Sequence, residues 1–313
     1  MSRPIVVVGD LLLDRDVTGV VSRLSPDAPV PVLTHLSTVE RAGGAGLAAT
    51  LLARDGADVI LVCALGSDPA GRLVRSLLTA RGVSLVEIPY EGPTTEKIRF
   101  ASGSHQLLRM ERGTQEGTFG PRPPQLRSVL AGAAAVLVSD YGRGATGLAE
   151  IRRDLASVAA NVPVVWDPHA RGATPVPGAM LVCPNRGEAA SFCARNGADL
   201  AGAPQTHHDA VAAEARLLRG AWRAHAVAVT LGEDGAVLAD GDNDTIVVPA
   251  PSAHQGDSCG AGDRFAASAV AAFAGGAGAR RAVMDAVCDA SRYVSAGGPA
   301  TVEPATDTTE VTA

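Results

Sequence analysis

Residues 254–273 read HQGDSCGAGDRFAASAVAAF. Gly260-Ala261-Gly262 followed by small apolar residues is the pattern of a loop that opens a helix. Free backbone N–H groups and the positive end of the helix dipole make such a start an anion site. Asp263 lies in the same turn. A carboxylate repels a phosphate placed on top of it, so either the loop binds no phosphate or the acid acts on something beside one. A blander reading exists, because glycine-rich helix starts also serve close helix–sheet packing. Asp257, six positions before Asp263, and the small apolar helix behind the loop favour a ligand.

Outward from this stretch, short β-branched runs alternate with Ala-rich helical stretches: PIVVVGD (4–10), DVILVCALG (58–66), AAVLVSDYG (134–142), VPVVWDP (162–168), GAMLVCPN (178–185) and AVAVTLG (226–232). Continuous apolar strands between helices predict an α/β fold whose parallel sheet is covered on both faces. Ligands of open α/β sheets sit beyond the carboxyl ends of the strands, so Asp10, Asp140, Asp167, Asn185 and Gly232 are expected to line one crevice. Residues 16–44 and 84–112 are strand-like, turn-rich and without helical period. They read as a small antiparallel lid, set at about 14–43 and 86–112, inserted in one domain over 1–305. The polar, Thr-rich end EPATDTTEVTA (303–313) has no periodicity, and 306–313 reads as a disordered tail.

With 313 residues and 46% hydrophobic side chains, the chain can bury a full core. Its 27 basic against 33 acidic residues give a net charge of −6, with no basic block along a helix, which argues against nucleic acid and anionic membrane as partners. The N-terminal apolar run is broken by Gly9 and Asp10, so it reads as a strand and not a signal peptide. No segment is long enough to span a bilayer. Five scattered cysteines without metal-ligand spacing read as reduced thiols in a cytoplasmic protein.

Several shorter motifs have two readings each. In NRGE (185–188), Asn185 and Glu188 have capping-box spacing, and an acid at a strand's carboxyl edge is also where a hydrated Mg²⁺ is held. VTLGEDGAVL (229–238) places Thr230, Gly232 and Gly235 around a tight hairpin turn. GAGLAA (44–49) fits a dinucleotide fingerprint, but it follows the polar HLSTVERAG instead of a buried strand. No G-x-x-x-x-G-K-[ST] occurs, which excludes a P-loop. His207 and His208 read as solvent-facing, with no third ligand in view.

Taken together, Gly43-Gly44, NRGE as N-x-x-E, TLGEDG as T-x-G-x-x-G and DSCGAGDRF as D-x-x-G-A-G-D-x-F resemble the ribokinase-like sugar kinases of the PfkB family. The resemblance runs from Ile5 to about Val302 and implies a three-layer α/β/α sandwich with a β lid. Three further blocks, VVGDLLLDRDVTGVVSRLSPDAPVPVL, PTTEKIRFASGSHQLLRMER and VLVSDYGRGA, resemble the kinases acting on D-glycero-D-manno-heptose 7-phosphate at its anomeric hydroxyl. In bifunctional members a nucleotidyltransferase domain follows; with the chain ending at Ala313, kinase activity alone is expected.

The resemblance implies ATP and Mg²⁺, and admits a monovalent cation. Asp263 would be the general base and Gly260, Ala261 and Gly262 the rest of the catalytic loop, with the N–H groups of Ala261, Gly262 and Asp263 as the anion hole for the γ-phosphoryl group. Asp14, Gly43, Gly44 and Asp140 would hold sugar hydroxyls, and Lys97, Arg99 and Arg109 the 7-phosphate. Asn185, Thr230, Gly232, Gly235 and Asp257 would face the nucleotide, with Glu188 and Asn185 reaching Mg²⁺ through water. A homodimer through the lid is expected, since exposed strand edges pair between subunits. Three positions depart from the pattern: Leu47 stands where Asn is expected, His169 and Arg143 where Lys is expected. Another phosphosugar kinase, or a non-catalytic sugar-binding regulator, are the alternative readings; retention of Asp263 and both loop glycines argues against the regulator.

Overall fold

The computed structural model describes residues 3–103, 105–114, 117–196, 207–241, 244–251 and 256–302. The expected tail, 306–313, lies outside them. Every quoted apolar run forms a strand of one nine-stranded sheet. Its members, numbered along the chain, are β1 (Ile5–Gly9), β4 (Val59–Cys63), β5 (Ser84–Glu87), β10 (Ala135–Ser139), β11 (Val164–Asp167), β12 (Leu181–Val182), β13 (Val227–Thr230), β14 (Ala236–Ala239) and β15 (Thr245–Val248). The order is β15-β14-β13-β12-β11-β10-β1-β4-β5. Pairing is parallel from β5 to β13, and β14 and β15 add antiparallel at one edge.

Helices cover both faces, which explains why strands such as IVVVG are buried along their whole length. On one face lie α1 (Ala45–Arg54), α2 (Pro69–Ala80), α7 (Ala261–Ala274) and α8 (Ala279–Ser295), packed with Val7, Leu61 and Leu137. On the other lie α3 (Leu126–Gly132), α4 (Ala149–Val158), α5 (Arg186–Arg195) and α6 (His207–Trp222), packed with Val8, Val138 and Trp166. Each buried Val or Leu contributes about 1.5–3 kcal/mol, so this double core fixes the sheet on whose carboxyl edge the loops stand. His208 is exposed on α6, as expected.

The lid is a separate sheet of β2 (Leu11–Leu24), β3 (Pro31–Gly44), β7 (Glu96–Ser102) and β8 (His105–Arg112), in the order β3-β2-β7-β8. Its register aligns Asp14 with Lys97 and Glu111, and Asp16 with Arg99 and Arg109. Because side chains alternate, these six charged residues share one face of the lid.

Two sequence expectations need correction. Ser84–Glu87, quoted with the second lid segment, pairs with β4 in the main sheet, and Tyr90–Glu91 (β6) pairs with Thr118–Phe119 (β9) in a small ribbon. The lid strands of that segment therefore begin at Glu96; a four-residue strand has too little pattern to reveal which sheet it joins. GAGLAA does follow a strand, but that strand is β3, which pairs antiparallel with β2 in the lid, so the parallel unit of a dinucleotide site is absent there.

Candidate active site

Helix α7 starts where the sequence places it. Gly260 caps it at φ 77°, and a Cβ there would lie 2.6 Å from Leu47 Cδ2 and 2.8 Å from the Tyr293 hydroxyl. Both conformation and space thus require glycine. Gly262 is different: its backbone is helical and a Cβ would meet nothing within 4 Å. The Ala261 N–H donates to the Ser258 carbonyl at 3.1 Å, so it is committed to the loop and not free for an anion as expected. Among the described residues, the Gly262 N–H has no backbone acceptor, whereas the Asp263 N–H is turned to its own carboxylate.

The acid points away from the space beside Gly262. Asp263 is 5% exposed, and the Tyr141 hydroxyl donates to its two carboxylate oxygens at 2.8 and 2.7 Å. Burial pushes its pKa up to about 7; the Tyr141 hydrogen bond and Lys97 oppose the rise, and Asp14 adds to it. A carboxyl poised there exchanges a proton near neutrality, as a general base requires.

On the lid side, Asp14 is buried and its carboxyl is raised by that burial, against the pull of Arg41, Arg99 and Lys97. Gly43 packs directly on the Asp14 carboxylate and Leu12. Gly44, at φ 62°, caps α1, with the Asp10 carbonyl 2.5 Å from where its Cβ would be. Lys97 Nζ lies 5.1 Å from the Tyr141 ring centre, and burial holds its pKa below the usual lysine value. The other two expected phosphate cations are engaged. Arg99 Nε donates to Asp16 at 2.8 Å and Nη1 to Cys259 Sγ at 2.8 Å. Arg109 is 52% exposed and pairs with Glu111 at 2.6 Å.

Asp10, Asp140, Asp167, Asn185 and Gly232 share the carboxyl edge of the sheet, where Asp10 and Gly232 line different cavities. Asp140 accepts from Gly142 N (2.7 Å), Thr146 Oγ1 (2.8 Å) and Ala173 N (2.8 Å). Asp10 accepts from the N–H groups of Tyr141, Arg143 and Ala145 at 2.9–3.1 Å. Both acids are used in shaping the loop that carries Tyr141 and Arg143, Asp140 being the one expected to bind substrate. Leu47 is buried against Gly260 in the core beneath the site and offers no polar contact.

The other side of α7 opens on a cleft of about 370 Å³ lined by Thr230, Gly232, Gly235, Ala261 and Gly262, with apolar walls from Phe265, Val287 and Val294. Thr230 ends β13 and Gly232 begins the turn into β14, so the hairpin reading of TLGEDG is right and the turn also lines the cleft. Asp257 and Asn185 do not line it. The Asp257 carboxylate accepts from Cys259 N at 2.9 Å and shapes the loop before α7. Asn185 and Glu188 form the capping box of α5, with bonds of 3.0 and 2.9 Å.

Burial raises the Asp167 carboxyl well above its ordinary value, and the charges of Asp263 and Glu188 raise it further. This excess of acid suits a divalent cation, but no three His, Cys, Asp or Glu among the described residues gather round one point. No closed cage of protein ligands is therefore present among them.

The sequence of VLVSDYG gives Tyr141 no role, because a tyrosine at a strand end shows no sign of which acid it will meet. Val287 and Val294 of α8 were missed too, because their helical spacing is that of any core face.

An α/β sandwich whose lid covers a near-neutral acid at an anion-competent helix start is the architecture of a kinase for small molecules. The chain belongs to the pfkB family of carbohydrate kinases, whose model matches residues 2–306. It is 48% identical over 302 residues to the bifunctional protein HldE of Streptomyces coelicolor, covering 96% of this chain and 62% of that protein. The HldE of Caulobacter vibrioides is 35% identical, over 90% of this chain and 58% of that one. The chain thus spans about three-fifths of the length of these relatives. Among solved structures, an Arabidopsis thaliana ribokinase complexed with ribose and ATP matches with a TM-score of 0.69 at 22% identity, covering 97% of this chain and 96% of the other. Phosphofructokinase-2 of Escherichia coli matches at 0.65 and 18%, covering 96% and 97%. Among the described residues no helix is long and apolar enough to cross a membrane.

Proposed function

We propose that this kinase transfers the γ-phosphoryl group of ATP to the anomeric hydroxyl of D-glycero-D-manno-heptose 7-phosphate, giving the 1,7-bisphosphate. The observation that carries the reading is Asp263. It is a buried carboxyl poised near pH 7, held by Tyr141 on the lid side of a helix start whose other side opens on the apolar cleft. The heptose is suggested by the kinship with HldE and by the cations that the lid and its adjoining loops bring to the site.

In the reaction, the anomeric oxygen attacks the γ-phosphorus and its proton passes to Asp263. The bond from the γ-phosphorus to the bridging oxygen breaks, and its electron pair leaves with ADP. The Gly262 N–H and the helix dipole stabilise charge on the transferring group. Base and anion hole come from one turn but face opposite reactants, which is why an acid can stand in a phosphate-binding loop. The apolar cleft takes the nucleotide base, with Thr230, Gly232 and Gly235 on its rim. Glu188, with Asn185 and Asp167 near it, would hold Mg²⁺ through water. When bound, that ion would screen the phosphate charges.

A coupled ATP-turnover assay across heptose, hexose and pentose phosphates and their unphosphorylated forms tests the reading. The highest kcat/KM is expected for heptose 7-phosphate. Preference for a hexose or pentose phosphate would move the assignment to another phosphosugar, and equal use of neutral sugars would contradict it.

A further inference from the structure

A second and larger cleft, of about 1030 Å³, is lined by Thr95 and Glu111 of the lid strands and by loops of the main domain. Arg143 and Arg171 enter its wall from two different loops. These loops touch: a Cβ at Gly142 would lie 2.5 Å from His169 Nδ1 and 3.2 Å from Arg171 Cβ. The Arg171 N–H donates to His169 Nδ1 at 3.1 Å, which leaves Nε2 as the donor of the neutral ring.

In this cluster the cations outnumber the acid: Glu111 is the one carboxylate in the cleft wall. Arg143 Nε is buried with no hydrogen-bond partner, and its one carboxylate contact among the described residues is Glu111, at 3.8 Å. Arg171 has no carboxylate at ion-pair distance among the described residues. Burial, then Arg171, Lys97 and Arg143, keep His169 below its ordinary pKa, so these positive groups feel one another. Buried donors without acceptors and gathered like charges are costly unless an anion completes them. Arg99 lies 2.8 Å from Asp16, although its Nη2 is also buried without a hydrogen-bond partner, and the exposed Arg109 holds Glu111 at 2.6 Å, closer than Arg143 does.

We infer that Arg143 and Arg171 form the seat of the sugar's distal phosphate, with Lys97 closing the cluster on the side nearer the base. The inference rests on the phosphosugar reading and changes which cations serve it. Position supports it: Tyr141 touches Asp263, and Arg143 is two residues further on, at most about 7 Å of chain. The loop that holds the base through Tyr141 therefore also supplies Gly142, Arg143 and Gly144 to the cleft wall. Guanidinium forks on two loops match the oxygens of a phosphomonoester.

The test compares the unmodified kinase with Arg143→Gln, Arg171→Gln and Arg109→Gln, using heptose 7-phosphate and unphosphorylated heptose as acceptors. Loss of either cleft arginine is expected to raise KM for the phosphorylated sugar by about 10- to 100-fold, with KM for ATP and for neutral heptose little changed. If Arg109→Gln carries that loss and the cleft variants do not, the inference is overturned. If the unmodified protein turns over no phosphosugar, the functional reading fails and the inference with it. If it requires the phosphate while both cleft variants keep their KM, the inference alone fails. A second measurement needs no variant: heptose 7-phosphate, but not neutral heptose, is expected to shield Arg143 and Arg171 from phenylglyoxal, read by peptide mass. Absence of shielding would overturn the assignment.

Discussion

Asp263 does two things that conflict: it needs burial to stand near the reactants, and burial raises the cost of its charge. With its pKa near 7, turnover is expected to rise through about pH 7 and level off above it, as the base form fills. In Asp263→Asn the shape and N–H groups remain while kcat falls by about 10²- to 10⁴-fold, with ATP affinity held or improved. The stability sign is opposite. Between the unfolded value of about 3.9 and about 7, the native state keeps a proton that the unfolded chain has lost. The wild type is therefore expected to lose melting temperature across that window, and Asp263→Asn to melt higher than wild type at pH 8 and close to it at pH 4. An unchanged kcat in the variant would reduce Asp263 to a helix cap. Tyr141→Phe removes the hydrogen bond that holds Asp263 down. The rise of kcat should then move to higher pH, with activity lost at pH 7 and recovered in alkali; an unmoved profile would mean that Tyr141 does not set the base.

At the scale of elements, the two glycines at the start of α7 have separable duties. Gly260→Val meets Leu47 and Tyr293 and must hold a positive φ, so it should lower the melting temperature as well as activity. Gly262→Val enters open space from a helical backbone; it should leave melting nearly unchanged while abolishing turnover by filling the side on which the phosphoryl group arrives. Melting curves and kcat on the pair check this, and near-normal turnover in Gly262→Val would return the loop to a packing role. This helix start was legible in the sequence because glycine spacing and small apolar residues are local signals. So were the runs that became β1, β4, β10 and β11, whose burial is written as unbroken β-branched residues. The lid's limits were not: Ser84–Glu87 has the half-buried pattern of a lid strand yet extends the main sheet. The partners of charges were illegible too. Lys97, Arg99 and Arg109 are alike as letters, and only the register Asp16, Arg99, Arg109 and the nearby Glu111 and Cys259 show that two of them are already occupied.

For the whole molecule, the lid is an open four-stranded sheet with β3 and β8 at its edges and Leu24, Leu36 and Leu108 exposed on it. Open edges and exposed apolar groups favour pairing with a second lid. A dimer that dissociates on dilution is expected in sedimentation experiments, and Leu36→Lys with Leu108→Glu should give a folded monomer; a monomeric wild type at all concentrations would contradict lid pairing. Lid, base and anion-binding turn together make one claim: phosphate is transferred to the end of a sugar opposite the phosphate it already carries. The most direct measurement is phosphorus NMR of the kinase with ATP, Mg²⁺ and heptose 7-phosphate. The expected result is that the 7-phosphate resonance persists while a new resonance appears, coupled to the anomeric proton, in step with ADP. Release of inorganic phosphate alone, or a new phosphate coupled to any other sugar proton, would contradict the account.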